Sequence, residues 1–113
     1  MAKYLSMKKK KLLKKNINAL KVLSVLDRKS RKIFLKKAPK HLFTTLKTFS
    51  KAILDGSLQL NDEVLKSLRK YKSSIRSIAH EKDIKGLIQK GGSISSFFIS
   101  VLPLIIPLLT SFL

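Results

Sequence analysis

The chain has 113 residues, with 25 Lys and Arg against 6 Asp and Glu for a formal net charge of +19, yet 44% of its residues are hydrophobic. A disordered polybasic tail would be poor in Leu and Ile, and this chain is rich in both. Zero Cys excludes disulfides, a thiol nucleophile and Cys-ligated zinc, and with no Trp and two His there is little material for metal or acid–base chemistry. The expectation is a protein that is not an enzyme and uses no cofactor and no metal.

The charge falls in three zones. Residues 1–40 hold 15 basic side chains and one acid, Asp27, for +14; residues 41–90 hold 10 and 5, for +5; residues 91–113 hold none. This divides the chain into a basic amphipathic amino-terminal region (1–40), a small helical domain (41–90), and a Gly-Gly hinge with an apolar carboxy-terminal tail (91–113). Such asymmetry predicts different partners for different parts.

At the amino end, Met1 to Met7 runs straight into lysines with no apolar stretch behind it, so a secretory signal is not expected. Lys8, Lys9, Lys10 and Lys11, followed by Lys14 and Lys15, read either as a nuclear-import patch or as a phosphate-binding patch. Leu12, Leu13, Ile17, Leu20, Leu23 and Leu26 recur every three to four residues and predict an amphipathic helix over roughly 9–26. Asp27 is placed to cap a second helix through about Lys37, with Ile33, Phe34 and Leu35 for burial. Pro39 suits the first turn of a third helix, striped by Leu42, Phe43, Leu46, Phe49, Ile53 and Leu54 and ended by Asp55-Gly56.

Residues 57–60 form a short extended link. Asn61 caps a fourth helix with Asp62 and Glu63 in its first turn, where the helix dipole favours acids. Val64, Leu65, Leu68, Tyr71, Ile75 and Ile78 give that helix an inner face, and Lys66, Arg69, Lys70, Lys72 and Arg76 an outer one. A last short helix runs from about Asp83 to Lys90. The predicted fold is all-α: a small bundle of short basic amphipathic helices followed by an apolar, proline-kinked helical tail.

A bundle with solvated lysines accounts for the Leu and Phe stripes but not for +19, because such a charge repels itself in the compact state. A polyanionic partner does account for it. The residues expected to meet it are Lys8–Lys11, Lys14 and Lys15, then Arg28, Lys29, Arg31, Lys32, Lys36 and Lys37, then Arg69, Lys70, Lys72 and Arg76. Nucleic acid contacted through phosphates, without sequence specificity, is one partner. An anionic membrane surface is the other, and composition does not separate them.

Residues 93–113 carry no charged side chain over 21 positions. At about 1.5 Å per residue, a helix of that length spans the hydrocarbon core of about 30 Å. Phe97, Phe98, Ile99, Val101, Leu102, Leu104, Ile105, Ile106, Leu108, Leu109, Phe112 and Leu113 are therefore candidate membrane-contacting residues. Pro103 and Pro107 each remove a helix donor and predict a kink. With Ser96, Ser100, Thr110 and Ser111 they form a small-residue stripe suited to helix–helix contact. The alternative for the tail is a buried core helix of a larger assembly.

The run Leu68-Arg69-Lys70-Tyr71-Lys72-Ser73-Ser74-Ile75-Arg76-Ser77-Ile78-Ala79, then Leu87-Ile88-Gln89-Lys90-Gly91-Gly92 and an apolar segment with prolines, resembles small basic minor virion or core proteins of Polinton/Maverick elements and adintoviruses. Their layout is similar to that of the adenovirus core protein X (mu) precursor. The likeness extends over about residues 20–113 and includes Leu54-Asp55-Gly56-Ser57-Leu58-Gln59-Leu60. It implies a non-enzymatic virion component that binds DNA or the capsid interior. Its partners would be capsid proteins, a lipid membrane met by the tail and a maturation protease acting at Gly91-Gly92, and its location the virion and, during assembly, the host nucleus. Three residues before the second glycine stands Gln89, where the family's processing sites carry Met, Ile or Leu. The residues themselves also allow Gly91-Gly92 to be a plain helix stop, and the whole chain to be a cellular tail-anchored protein of an intracellular membrane with a basic cytosolic domain. His41, His80, Ser73, Ser74 and Ser77 lack the neighbours that catalysis would need.

Overall fold

Four of the described helices open on a side-chain cap. In the computed structural model, which describes residues 6–58, 60–89 and 95–112 (side chains of the last segment to residue 108), α1 (Met7–Lys15) begins at Ser6, whose hydroxyl accepts the Lys9 N–H at 3.2 Å. The continuous helix expected over 9–26 is broken at Asn16 and resumes as α2 (Ile17–Val25). The buried Asn16 ends α1 itself: its backbone N–H reaches the Leu12 and Leu13 carbonyls, and its side-chain amide donates to Leu12 O at 2.9 Å. A short amide side chain that bonds the preceding turn competes with helix propagation, a local effect that hydrophobic periodicity does not register.

Asp27 caps α3 (Arg28–Lys37) as predicted, its Oδ1 accepting the Ser30 N–H at 2.7 Å. Pro39 occupies the N-cap position of α4 (Lys40–Asp55), one place before the first turn. Gly56 closes α4 with φ 83°, a left-handed conformation in which a side chain would be strained. Asn61 caps α5 (Asp62–Leu68) through a 2.9 Å bond from Val64 N–H. The helix then tightens into a 3₁₀ turn at Arg69–Tyr71 before α6 (Lys72–Ala79). Asp83 Oδ1 accepts the Gly86 N–H at 2.8 Å at the start of α7 (Ile84–Gln89). The final helix, α8 (Leu102–Phe112), is entered through a π turn at Phe97–Val101.

The fold is all-α, with no strand among the described residues. α4 packs on α6 and α1, α3 on α7, and α2 on both α8 and the π turn. One apolar cluster joins Leu13, Leu20 and Leu23 to Leu42, Leu46 and Phe49, to Ile75, Ile78 and Leu87, and to Phe97, Phe98, Val101, Leu102 and Ile105. All three charge zones thus feed a single core. The stripes are narrower than periodicity implies: Ile33, Leu54 and Leu65 are exposed, while Phe34, Phe43, Val64 and Tyr71 are half-buried.

The largest departure from the sequence expectation concerns the apolar end. Residues 97–106 do not form an appendage beside a charged bundle; they are the centre of it. Phe97, Phe98, Val101, Leu102 and Ile105 have 0% exposure. At about 1.5–3 kcal/mol for each fully buried large apolar side chain, this segment is a main source of the hydrophobic stabilisation. The prolines stay compatible with this by facing outward: Pro103 and Pro107 are both exposed. Each deprives the carbonyl four residues earlier of its helix donor. The π turn sits just before Pro103, with Leu102 N–H donating five residues back to Phe97 O, so the wide turn takes up the crowding a proline ring causes.

Candidate polyanion interface

The basic side chains expected to meet a polyanion fall on three elements. On α1, Lys8, Lys9, Lys11, Lys14 and Lys15 are exposed and Lys10 is half-buried. These six follow from the same amphipathic pattern that turns Leu13 inward. On α3, Arg28, Lys29, Lys32, Lys36 and Lys37 are exposed.

The third set is shaped into a site. Burial of Leu68, Ile75 and Ile78 fixes the orientation of the 3₁₀ turn and α6. Arg69, Lys70, Lys72 and Arg76 are thereby left around one shallow surface groove, together with Ser73, Ser77 and His80. The 3₁₀ turn contributes directly: at three residues per turn, Arg69 and Lys72 eclipse each other, and Arg76 follows one α turn later. No acidic side chain lines this groove. Four cations with two hydroxyl side chains and an imidazole present the donors that a phosphodiester backbone takes. Ser73, Ser77 and His80 also line the groove; Ser73 stands four residues after Arg69, Ser77 four after Ser73 and His80 four after Arg76, and that one-turn spacing was the signal that could have placed them there.

Arg31 departs from the expectation. It is 4% exposed and does not stand on the open face of α3 with its neighbours. Its Nη2 donates to Leu26 O at 3.1 Å, and its guanidinium lies 4.8 Å from the centre of the Phe98 ring. Burial pushes the guanidinium pKa down and Asp27 opposes the shift, with Arg28 adding to the lowering; an arginine remains charged at neutral pH all the same. The cause of its burial is tertiary: α3 packs on α7, and Phe98 on the π turn supplies an aromatic face. With Arg28 and Lys32, Arg31 lines a cavity of about 130 Å³ closed by Leu35, Leu87, Ile88, Gln89 and Phe98.

The residues expected to touch a membrane are mostly withdrawn from solvent. Besides the five fully buried side chains, Ile106 is 7% exposed and Leu108 half-buried. Ile99, at 60%, and Leu104, at 36%, remain on the surface. The side chains of Leu109 and Phe112, all of Leu113, and the proposed processing pair Gly91 and Gly92 lie outside the described residues. Among the described residues, no helix is long and apolar enough to cross a membrane. Phe97 and Phe98 meet each other edge to face at 5.4 Å, and Ser96 Oγ lies 2.9 Å from Ser74 Oγ, tying the segment to α6.

Comparison with protein-family models, with curated proteins and with solved structures found no match to this chain.

Proposed function

We propose that this chain is a non-enzymatic nucleic-acid-coating protein, a minor virion or core component of a Polinton- or adintovirus-like element, that binds duplex DNA through phosphates without reading its sequence. The observation that carries the DNA part is the groove of Arg69, Lys70, Lys72 and Arg76, which has no acid in its lining. The exposed lysines of α1 and α3 extend the positive surface. The placement in a virion, and with it capsid proteins and a maturation protease as partners, rests on the sequence resemblance alone.

The test is DNA binding measured against salt. Each phosphate that the protein no longer neutralises should reduce the slope of log K against log salt by about 0.9. Replacing Arg69, Lys70, Lys72 and Arg76 by Gln should therefore flatten the slope by about 3 to 4 and weaken binding to unrelated duplexes alike. An unchanged slope would remove the groove from the interface. Replacing the α1 lysines in parallel shows how the remaining phosphates are shared.

Membrane contact by residues 97–112 is the lesser reading. It requires the core to open first, because the side chains that would enter lipid are the ones that hold the helices together.

A further inference from the structure

We propose that the cavity beside Arg31 is a binding site for one small oxyanion of phosphate size, distinct from the groove on α6. Four observations support it. Arg31 lines the cavity at 4% exposure, and its Nε is buried with no hydrogen-bond acceptor. Buried N–H groups in folded proteins are nearly always matched, so this one calls for an acceptor that enters from outside. Arg28 and Lys32 line the same cavity, at three residues before and one after on α3, so three cations converge there. No carboxylate lines it, and Asp27, the acid whose charge acts on Arg31, has its Oδ1 engaged by the Ser30 N–H at 2.7 Å. Gln89, a neutral residue, completes the polar part of the lining.

The charge decides between water and an anion as occupant. A water would answer Nε but would leave three cations facing one another, whereas an oxyanion answers both. The planar guanidinium, held by Leu26 O and the Phe98 face, presents its remaining N–H groups in a fixed fork that suits a tetrahedral or carboxylate oxyanion. The cavity, of about 130 Å³, has room for a phosphate group. The phosphate could be free or could belong to a nucleic-acid backbone.

The experiment follows the Arg31 Nε–Hε resonance of the full chain, labelled with ¹⁵N-arginine, as inorganic phosphate replaces chloride at constant ionic strength. A saturable shift with one-to-one stoichiometry is expected. Arg28→Gln and Lys32→Gln, both changes at exposed positions, should each weaken it about tenfold. Arg31→Met keeps the length and apolar contacts of the side chain, and it should reduce the rise in melting temperature that phosphate gives the unaltered chain, leaving only the part that the α6 groove and the other cations supply. A non-saturating shift shared equally with the arginines of the α6 groove would overturn the proposal, since it would report only the attraction of a +19 chain for anions. So would an Arg31 resonance indifferent to phosphate, which would leave water as the occupant. A second titration with a short duplex separates the sources. If duplex moves the Arg31 resonance as phosphate does, the ligand is a backbone phosphate; if phosphate alone does, it is a free oxyanion. Either result supports the site, and its failure would leave the salt-slope test of the groove untouched.

Discussion

Phe49 and Phe97 meet edge to face, with ring centres 6.0 Å apart and planes at 83°. Both rings are at 0% exposure. The contact joins α4 of the charged middle to the uncharged carboxy-terminal segment, so the apolar end is held by the same core that orients the basic helices. Phe49→Ala and Phe97→Ala should each lower the unfolding free energy by about 3–5 kcal/mol. Denaturant titration of the two single variants and the double variant should give a coupling of about 0.5–1.5 kcal/mol. Simple additivity would show that the rings do not support each other.

Membrane activity should follow unfolding. The folded chain should leave neutral liposomes intact, and a synthetic peptide of residues 93–113 should release an entrapped dye. Phe49→Ala changes no residue of the apolar segment, yet it should raise leakage in proportion to its unfolded fraction. Equal leakage by the unaltered chain and Phe49→Ala would show that the segment reaches lipid without leaving the core.

Asp27 is held below the usual carboxylate range, first by the Ser30 backbone N–H, then by the Ser30 side chain and by Arg31. A carboxyl with a depressed folded pKa contributes stability that is present above its unfolded value of about 3.9 and is lost as pH falls through the lower folded value. Asp27→Asn keeps an equivalent cap but cannot titrate. Thermal melts from pH 6 to pH 2 should therefore show a shallower acid-side loss for Asp27→Asn than for the unaltered chain. Asp27→Ala should be less stable than both at pH 6.

Glu81 and Gly86 are coupled through space. A Cβ on Gly86 would fall 2.6 Å from Glu81 Cδ and nearer still to its Oε1. Glu81 is 8% exposed and accepts the Lys82 N–H at 3.0 Å. Alanine normally gains up to about 1 kcal/mol over glycine inside a helix. Gly86→Ala should forfeit that gain in the unaltered chain and recover it in a Glu81→Ala background. A gain of the same size in both backgrounds would remove the coupling.

Self-repulsion at +19 should make stability rise with salt. The Debye length falls from about 10 Å at 0.1 M to about 3 Å at 1 M, which screens lysines on neighbouring helices from one another. The melting temperature should climb over this range in sodium chloride. A flat response would mean that the basic side chains lie far enough apart not to interact.

Local chemistry was legible from residue order. Asp27 and Asn61 could be placed as caps and Gly56 as a stop because each acts on backbone groups within three residues of itself. The exposure of Arg69, Lys70, Lys72 and Arg76 followed from the inward pull of Leu68, Ile75 and Ile78. The break at Asn16 and the 3₁₀ turn at Arg69–Tyr71 were not legible: the first is a local side-chain bond to Leu12 O that hydrophobic periodicity does not register, and no cap or breaker residue marks the second. Composition also determined that residues 93–113 lack charge and that their apolar side chains must leave water. It did not determine their destination, since hydrophobic transfer has no direction: lipid and a protein core satisfy Phe97 equally. Tertiary structure decided that, by bringing α2, α4 and α6 around Phe97, Phe98 and Val101. It decided Arg31 in the same way, since a cation in a basic helix is withdrawn from solvent only when α7 and the Phe98 ring close over it.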